Sequence, residues 1–351
     1  MDSNFIPLIG SEIALSLYPQ LIKLVPTTIE IQVATRCITY SILAIIGYYI
    51  TKHTNTITQT NTILNTPNTN IVSFTKTSIL MGTINIIHII SSYMCFNTLS
   101  SGVGYSIFYM YPIFNLLGRT FIYHEKIDSI NYIYTLMSIL GVYLIYKQNT
   151  KHIPEPIPEP NTVLEPFVNI YTILNTKNTT IGIGAGIVSA LSESIIYFMV
   201  KDNSLSVSPF IQLLKFYLLG SIVSVVYLIQ TFTNTKTTTS TTNTTTNTTT
   251  NTTTNTTTNT TTNTTTNTTA SLGYHYWITL ILFNAIVGFV GYLLRFIMIP
   301  RLSTLLFNSL IFTGVIFAYI WGYILSNEPL TYSNVSGTLL IVSSIFLINK
   351  K

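Results

Sequence analysis

Apolar residues in this chain come in runs of about 20 separated by short polar breaks, and a run of that length crosses a hydrocarbon core of ~30 Å as a helix. Ten runs fit: about 4–24, 31–51, 78–98, 102–122, 129–147, 181–200, 207–230, 275–299, 303–325 and 332–349. Polar and small residues inside them recur at helical spacing, so each set marks one face of its helix. The third run places Asn85, His88, Ser92 and Cys95 on such a face, and the eighth places Asn284, Gly288, Gly291 and Arg295 there. The fourth and ninth continue the pattern, with Ser101, Tyr105 and Tyr109 in one and Thr304, Asn308 and Phe312 in the other. Facing stripes of this kind line a cavity, although small and polar residues also serve close helix packing in membranes.

Three connections are long. Residues 52–77 are rich in Asn and Thr, 148–180 contain PEPIPEP, a polyproline-like spacer, and 231–270 are dominated by repeated TTTN. The last tract has too little apolar surface to fold by itself and is expected to be disordered.

Composition fixes the class. Charged residues are 8% of the chain, against roughly 25% in soluble domains, and mean hydropathy is +0.48 despite the Thr/Asn tract. This is the composition of an all-α membrane protein. The opening MDSNFIPLIG has neither a basic run nor a small-residue cleavage site, so it reads as a retained first span. Cys37 and Cys95 lie inside apolar runs and imply neither a disulfide framework nor a metal site. A net charge of +5 is spread thinly and forms no stripe for nucleic acid.

With the N-terminus cytosolic, ten of the sixteen Lys and Arg fall at inner loops or span ends, which also puts the C-terminus in the cytosol. Nine glycosylation sequons then lie outside: seven in the tract from Asn243 to Asn267, with Asn178 and Asn334. They point to a glycoprotein of an endomembrane or the plasma membrane, or simply track Asn/Thr-rich coding sequence. The abundance of Ile, Asn, Thr and Tyr fits a biased base composition in the coding DNA.

The chain repeats internally. A shift of 203 residues lays TFIYHEKIDS (120–129) on YILSNEPLTY (323–332), pairing Glu125 with Glu328, Asn131 with Asn334, Thr135 with Thr338 and Lys147 with Lys350. With small gaps, SEIALSLY (11–18) faces SESIIYFM (192–199), and IQVATR (31–36) faces IQLLK (211–215). The units are residues 1–147 and 181–351, joined by the 148–180 linker. Five spans in each unit force the second to insert upside-down relative to the first. Inverted repeats characterise secondary transporters, which bind substrate near the midplane between halves.

This layout resembles the drug/metabolite transporter superfamily, particularly its EamA-like branch, related to nucleotide-sugar and triose-phosphate transporters. There each half ends in a span, a short turn bearing Gly-Glu or a similar pair, and a small-residue-rich final span. Here the turns read His124-Glu125 and Asn327-Glu328, and the fourth-span proline is present as Pro112 but replaced by Val315 in the second half. The resemblance covers nearly all of the chain outside the three long loops. It implies ten helices in two inverted repeats and transport by alternating access, without selecting a cargo.

Charge within a span costs ~2.5–3.5 kcal/mol per residue on insertion scales, so it should face the interior or be paired. Glu12 and Glu193 take equivalent places in the two halves. They either bind a cationic group or carry a proton, or they cap and pair neighbouring helices. Arg36 and Lys215 either hold a substrate carboxylate or phosphate or snorkel to an interface. With His88, Ser92, Tyr105, Arg295 and Asn308 these form the expected substrate-binding set, which suits a zwitterion or a phosphorylated metabolite. Glu125 and Glu328 are expected to accept backbone N–H bonds at the start of the next helix, or to act as gating contacts.

Other motifs fall away. GIGAG (182–186) opens a membrane span, where small residues allow close packing, and follows no soluble strand. GYS (104–106) with His88 raises an intramembrane serine protease, which needs a defined Ser–His geometry. HEKID is one residue short of an acyltransferase His-x4-Asp pattern, no acidic pair resembles a prenyltransferase metal site, and the final NKK does not match a dilysine signal. The sequence therefore predicts a secondary transporter for a small polar organic solute, with no cofactor or metal; a coupled proton and a homodimer both stay open. The alternatives are an intramembrane enzyme dependent on His88 or Ser106 and a non-transporting interaction protein.

Overall fold

The computed structural model describes residues 5–25, 27–58, 75–124, 129–149, 178–203, 207–239, 274–302, 307–308, 310–311 and 313–349. Their elements are α1 (Phe5–Leu15), α2 (Tyr18–Leu24), α3 (Ile29–Thr58), α4 (Lys76–Thr98), α5 (Ser101–Phe108), α6 (Tyr111–Tyr123) and α7 (Ser129–Asn149). There follow α8 (Thr179–Asn203), α9 (Pro209–Thr239), α10 (Tyr274–Met298), α11 (Thr313–Ser326) and α12 (Tyr332–Asn349). No strand occurs among the described residues. That follows from the solvent: without water to take up N–H and C=O groups, an apolar segment satisfies its backbone within a helix. Among the described residues five helices, α3, α4, α8, α9 and α10, are long and apolar enough to cross a membrane. The protein is an all-α membrane protein.

Several predicted spans are subdivided. The first breaks at Ser16–Leu17, where Pro19 opens α2, and the fourth breaks at Tyr109–Met110, where Pro112 opens α6. Proline lacks the N–H an interior turn needs but suits a first turn, so each break coincides with one. Helices α3 and α9 run past their apolar stretches to Thr58 and Thr239, since extending a formed helix is easier than starting one. The first residues of the Thr/Asn tract, 231–239, are thus helical where disorder was expected; the PEPIPEP spacer, most of the 52–77 loop, residues 240–270 of the tract with its seven sequons, Glu125, Thr304 and Phe312 lie outside the described residues.

Polarity is arranged inside out. Ile42, Ile45, Ile46 and Ile50 of α3, Leu136, Ile139 and Leu140 of α7, and Ile222, Val223, Val226 and Ile229 of α9 are exposed. Serines, glutamines and four charged groups are buried instead. Close approach relies on small residues: a Cβ on Gly141 of α7 would sit 2.6 Å from the Gly337 carbonyl oxygen of α12, and the converse distance is 2.7 Å. Ser41 and Ser221 hydroxyls join α3 to α9 at 2.6 Å. The packed pairs are α3 with α9, α7 with α12, α4 with α8, α1 with α10, α4 with α9, α3 with α10, α6 with α8, α1 with α11, and α5 with α11.

Two backbone details matter. Among the described residues only His124 and Asn327 are non-glycine residues with positive φ, at 53° and 51°. They directly follow α6 and α11, and left-handed residues at that position end helices by satisfying the last carbonyls. Asn334 is 5% exposed within α12, so a glycan has no room there; its sequon is a helix-packing residue.

Candidate functional site

The site is assembled around Arg295, near the C-terminal end of α10 and 1% exposed. Its Nη1 lies 3.1 Å from Glu193 Oε1 of α8, its Nε lies 3.7 Å from Glu12 Oε1 of α1, and its Nη2 donates to Tyr111 Oη at 2.7 Å. Both carboxylates are buried, and Tyr109 donates to Glu12 Oε2. One cation is thus bracketed by two anions from different helices. His88 of α4 extends the group: Nδ1 lies 3.3 Å from the Ser189 carbonyl, and Nε2 lies 3.3 Å from Tyr292 Oη and 3.4 Å from Glu193 Oε2. A donor at Nδ1 is required by that carbonyl, which leaves Nε2 free to accept from Tyr292 in the neutral ring.

Arg36 of α3, 3% exposed, sits on the other side of Tyr292 and has no carboxylate within ion-pair distance among the described residues. Tyrosines surround it. Its Cζ lies 4.7 Å from the ring centre of Tyr18, 4.8 Å from Tyr292, 5.3 Å from Tyr40, 5.8 Å from Tyr93 and 5.9 Å from Tyr217. Ring faces attract a cation within about 6 Å. Its Nη2 donates to Tyr217 Oη at 3.1 Å, while Nε has no partner. The cage is itself braced: Tyr40 Oη meets Tyr18 Oη at 2.6 Å, and Tyr18 donates to Asn284 Oδ1 at 2.7 Å. Asn284 lies in a π-helical stretch, Phe283–Phe289, inside α10, and such bulges recur at functional sites. Gly288 in the same stretch faces the Tyr18 and Tyr40 hydroxyls, where a Cβ would clash.

Between the two guanidinium groups is a cavity of about 20 Å³, lined by Tyr18, Arg36, His88, Ser92, Tyr105, Tyr292 and Arg295 among others. It has room for about one water. A roomier void of about 180 Å³ between α3, α4 and α9 is lined mostly by apolar residues, with Glu30, Ser224 and Tyr227, and holds none of these charges. A separate polar collar joins α2, α5 and the turn after α11. Glu328 accepts from the backbone N–H of Ser101 at 2.6 Å, from its hydroxyl at 2.9 Å, and from Lys23. Gln20 donates to Ser101 Oγ at 2.6 Å and accepts from Ser326, and Trp321 Nε1 donates to Ser16 Oγ at 3.1 Å.

Of the residues expected from sequence, Glu12, Arg36, His88, Ser92, Tyr105, Glu193 and Arg295 are brought together here. Lys215 is half-buried in α9 and is neither a cavity residue nor ion-paired to the cluster; Asn308 is buried but does not line the cavity. Glu328 caps a helix start, but that of α5, 227 residues earlier, and not the following α12. The tyrosines of the cage were missed, because abundant tyrosine reads as biased base composition. For Tyr292 alone helical register was an available signal, four residues after Gly288 and three before Arg295; Tyr93, five after His88, falls off the polar stripe of its run.

No family model matches the chain, and no curated protein matches it. A solved structure described only as "Crystal structure of protein" is similar at 10% identity with a TM-score of 0.54, over 99% of this chain and 95% of that one. Likeness at that identity concerns the fold alone.

Proposed function

We propose that the protein is a secondary transporter that moves a small polar organic solute across a membrane by alternating access. The observation that carries this reading is the buried charge cluster. Glu12, Arg36, Glu193 and Arg295 come from four helices; Arg36 and Arg295 line one small polar cavity with room for a water, and Glu12 and Glu193 pair with Arg295 beside it. Burying ionised groups among apolar helices is expensive, and such groups mark solute or proton pathways. Packing alone would be better served by hydrophobic residues of similar volume.

The inverted repeat is part of the same proposal, and two features support it. His124 and Asn327, the two positive-φ residues, are 203 positions apart, the spacing that aligns Glu125 with Glu328. The helix pairs also exchange when the halves do: α4 with α8 becomes α10 with α1, α4 with α9 becomes α10 with α3, and α6 with α8 becomes α11 with α1. In this reading the small cavity between Arg36 and Arg295 and the Glu328 collar belong to one state of an alternating cycle.

An intramembrane serine enzyme fits less well. Ser106 Oγ donates to Gly102 O at 2.7 Å and meets Thr338 Oγ1 at 2.9 Å, while the His88 nitrogens face Ser189, Tyr292 and Glu193. The test is counterflow into proteoliposomes loaded with a cell metabolite extract, read by mass spectrometry. Transport predicts protein-dependent, saturable exchange of at least one polar solute, lost in Glu193→Gln. Exchange no greater than in empty liposomes would count against the proposal.

A further inference from the structure

We infer that Arg36 is the anion-binding group of this site, so that the solute presents a carboxylate or a phosphate to the tyrosine cage. This rests on the transporter reading and narrows it. The buried formal charges cancel in sum but not in place. Arg295 has two carboxylates within 3.7 Å, whereas Arg36 has none within ion-pair distance among the described residues. Tyr292 and His88 stand between the two groups.

The tyrosine rings answer only part of what Arg36 needs. A ring face attracts the cation but accepts none of its in-plane N–H bonds, and a guanidinium carries five donors in a flat fork. Tyr217 takes one and the Tyr93 and Tyr292 hydroxyls lie within reach of the guanidinium, but Nε takes none, and Tyr18 Oη is already engaged by Tyr40 and Asn284. A forked donor set beside a cavity, with its charge unmatched locally, fits a planar carboxylate or a phosphate. Lys215, the aligned cation of the other half, lines no part of that cavity. The site therefore holds one anionic group, not two. The space of about 20 Å³ is too small for the whole solute, so binding requires the cage to widen first.

The experiment is thermal unfolding of the full-length protein in detergent at constant ionic strength. The probes form three arms: inorganic phosphate and glucose 6-phosphate; succinate and acetate; glucose, adenosine and spermidine. The inference predicts a rise in Tm of about 5 °C for at least one phosphate or carboxylate probe at 100 times its Kd. The arm that responds identifies the group. Arg36→Lys keeps the buried charge and should fold, yet it loses the fork and should weaken that probe at least 10-fold; Arg36→Gln should abolish its effect. Unchanged affinity in Arg36→Lys overturns the inference, as does silence from both anionic arms. A response confined to glucose, adenosine or spermidine overturns it while leaving transport standing. Silence in all three arms, joined to absent counterflow, removes both.

Discussion

Arg295 is the residue on which the buried cluster depends most directly. Removing its charge leaves Glu12 and Glu193 facing each other without compensation, and breaking a buried pair from one side typically costs about 3–5 kcal/mol. Arg295→Gln should therefore lower Tm sharply, and Glu193→Gln added to it should recover part of the loss; calorimetry of the two variants checks this. Strict additivity would mean the groups do not interact. At this scale the sequence was informative for charge and poor for aromatics. Glu12, Arg36, His88, Glu193 and Arg295 were legible because an ionisable group in an apolar run needs a reason. Tyr18, Tyr40, Tyr93 and Tyr217 were not, since 23 tyrosines spread over the chain read as composition. Pairing Lys215 with Arg36 followed a gapped alignment that equated position with role, and Asn308 was assigned from one helical stripe without knowledge of its neighbours.

At the scale of elements, most helices were legible and their interruptions only partly so. Pro19 and Pro112 are visible in the sequence, but a long apolar run conceals whether a proline bends a helix or ends it. The π stretch of α10 leaves no sequence mark beyond Asn284 and Gly288. It generates a prediction: Gly288→Ala forces a methyl group onto the Tyr18 and Tyr40 hydroxyls and should cost about 1–3 kcal/mol as overpacking. Chemical denaturation measures that directly. The α11 terminus gives another. Asn tolerates the left-handed backbone at 327, Gly adopts it freely, and a β-branched residue resists it. Asn327→Gly should match or exceed wild-type stability, and Asn327→Val should lose about 1–2 kcal/mol.

For the whole molecule, the collar is the consequential contact. It ties the turn after α11 to α2 and α5, and Lys23 and Glu328 are 22% and 15% exposed, so it is less deeply buried than the Arg295 cluster. Under alternating access, it must part for the cavity to open on that side. Glu328→Gln removes the charge that gathers Lys23 and the Ser101 N–H. In a background lacking Cys37 and Cys95, a Tyr105→Cys probe should then react faster with a membrane-impermeant maleimide than it does with Glu328 intact. Equal labelling rates would assign the collar to folding alone. Glu328 and its turn were legible in the sequence as a repeated feature. Its partner was not, because a contact across 227 residues has no local signature.

The hydrogen bond from Trp321 to Ser16 spans the same seam, and the chain has just one other tryptophan, Trp277. With Trp277→Phe in place, indole fluorescence would come from that seam alone. Separation of α11 from the α1–α2 break would hand the indole N–H from a serine to water and shift its emission to longer wavelength. Opening along that seam, as the transport proposal requires, would then be readable in stopped flow without any attached label.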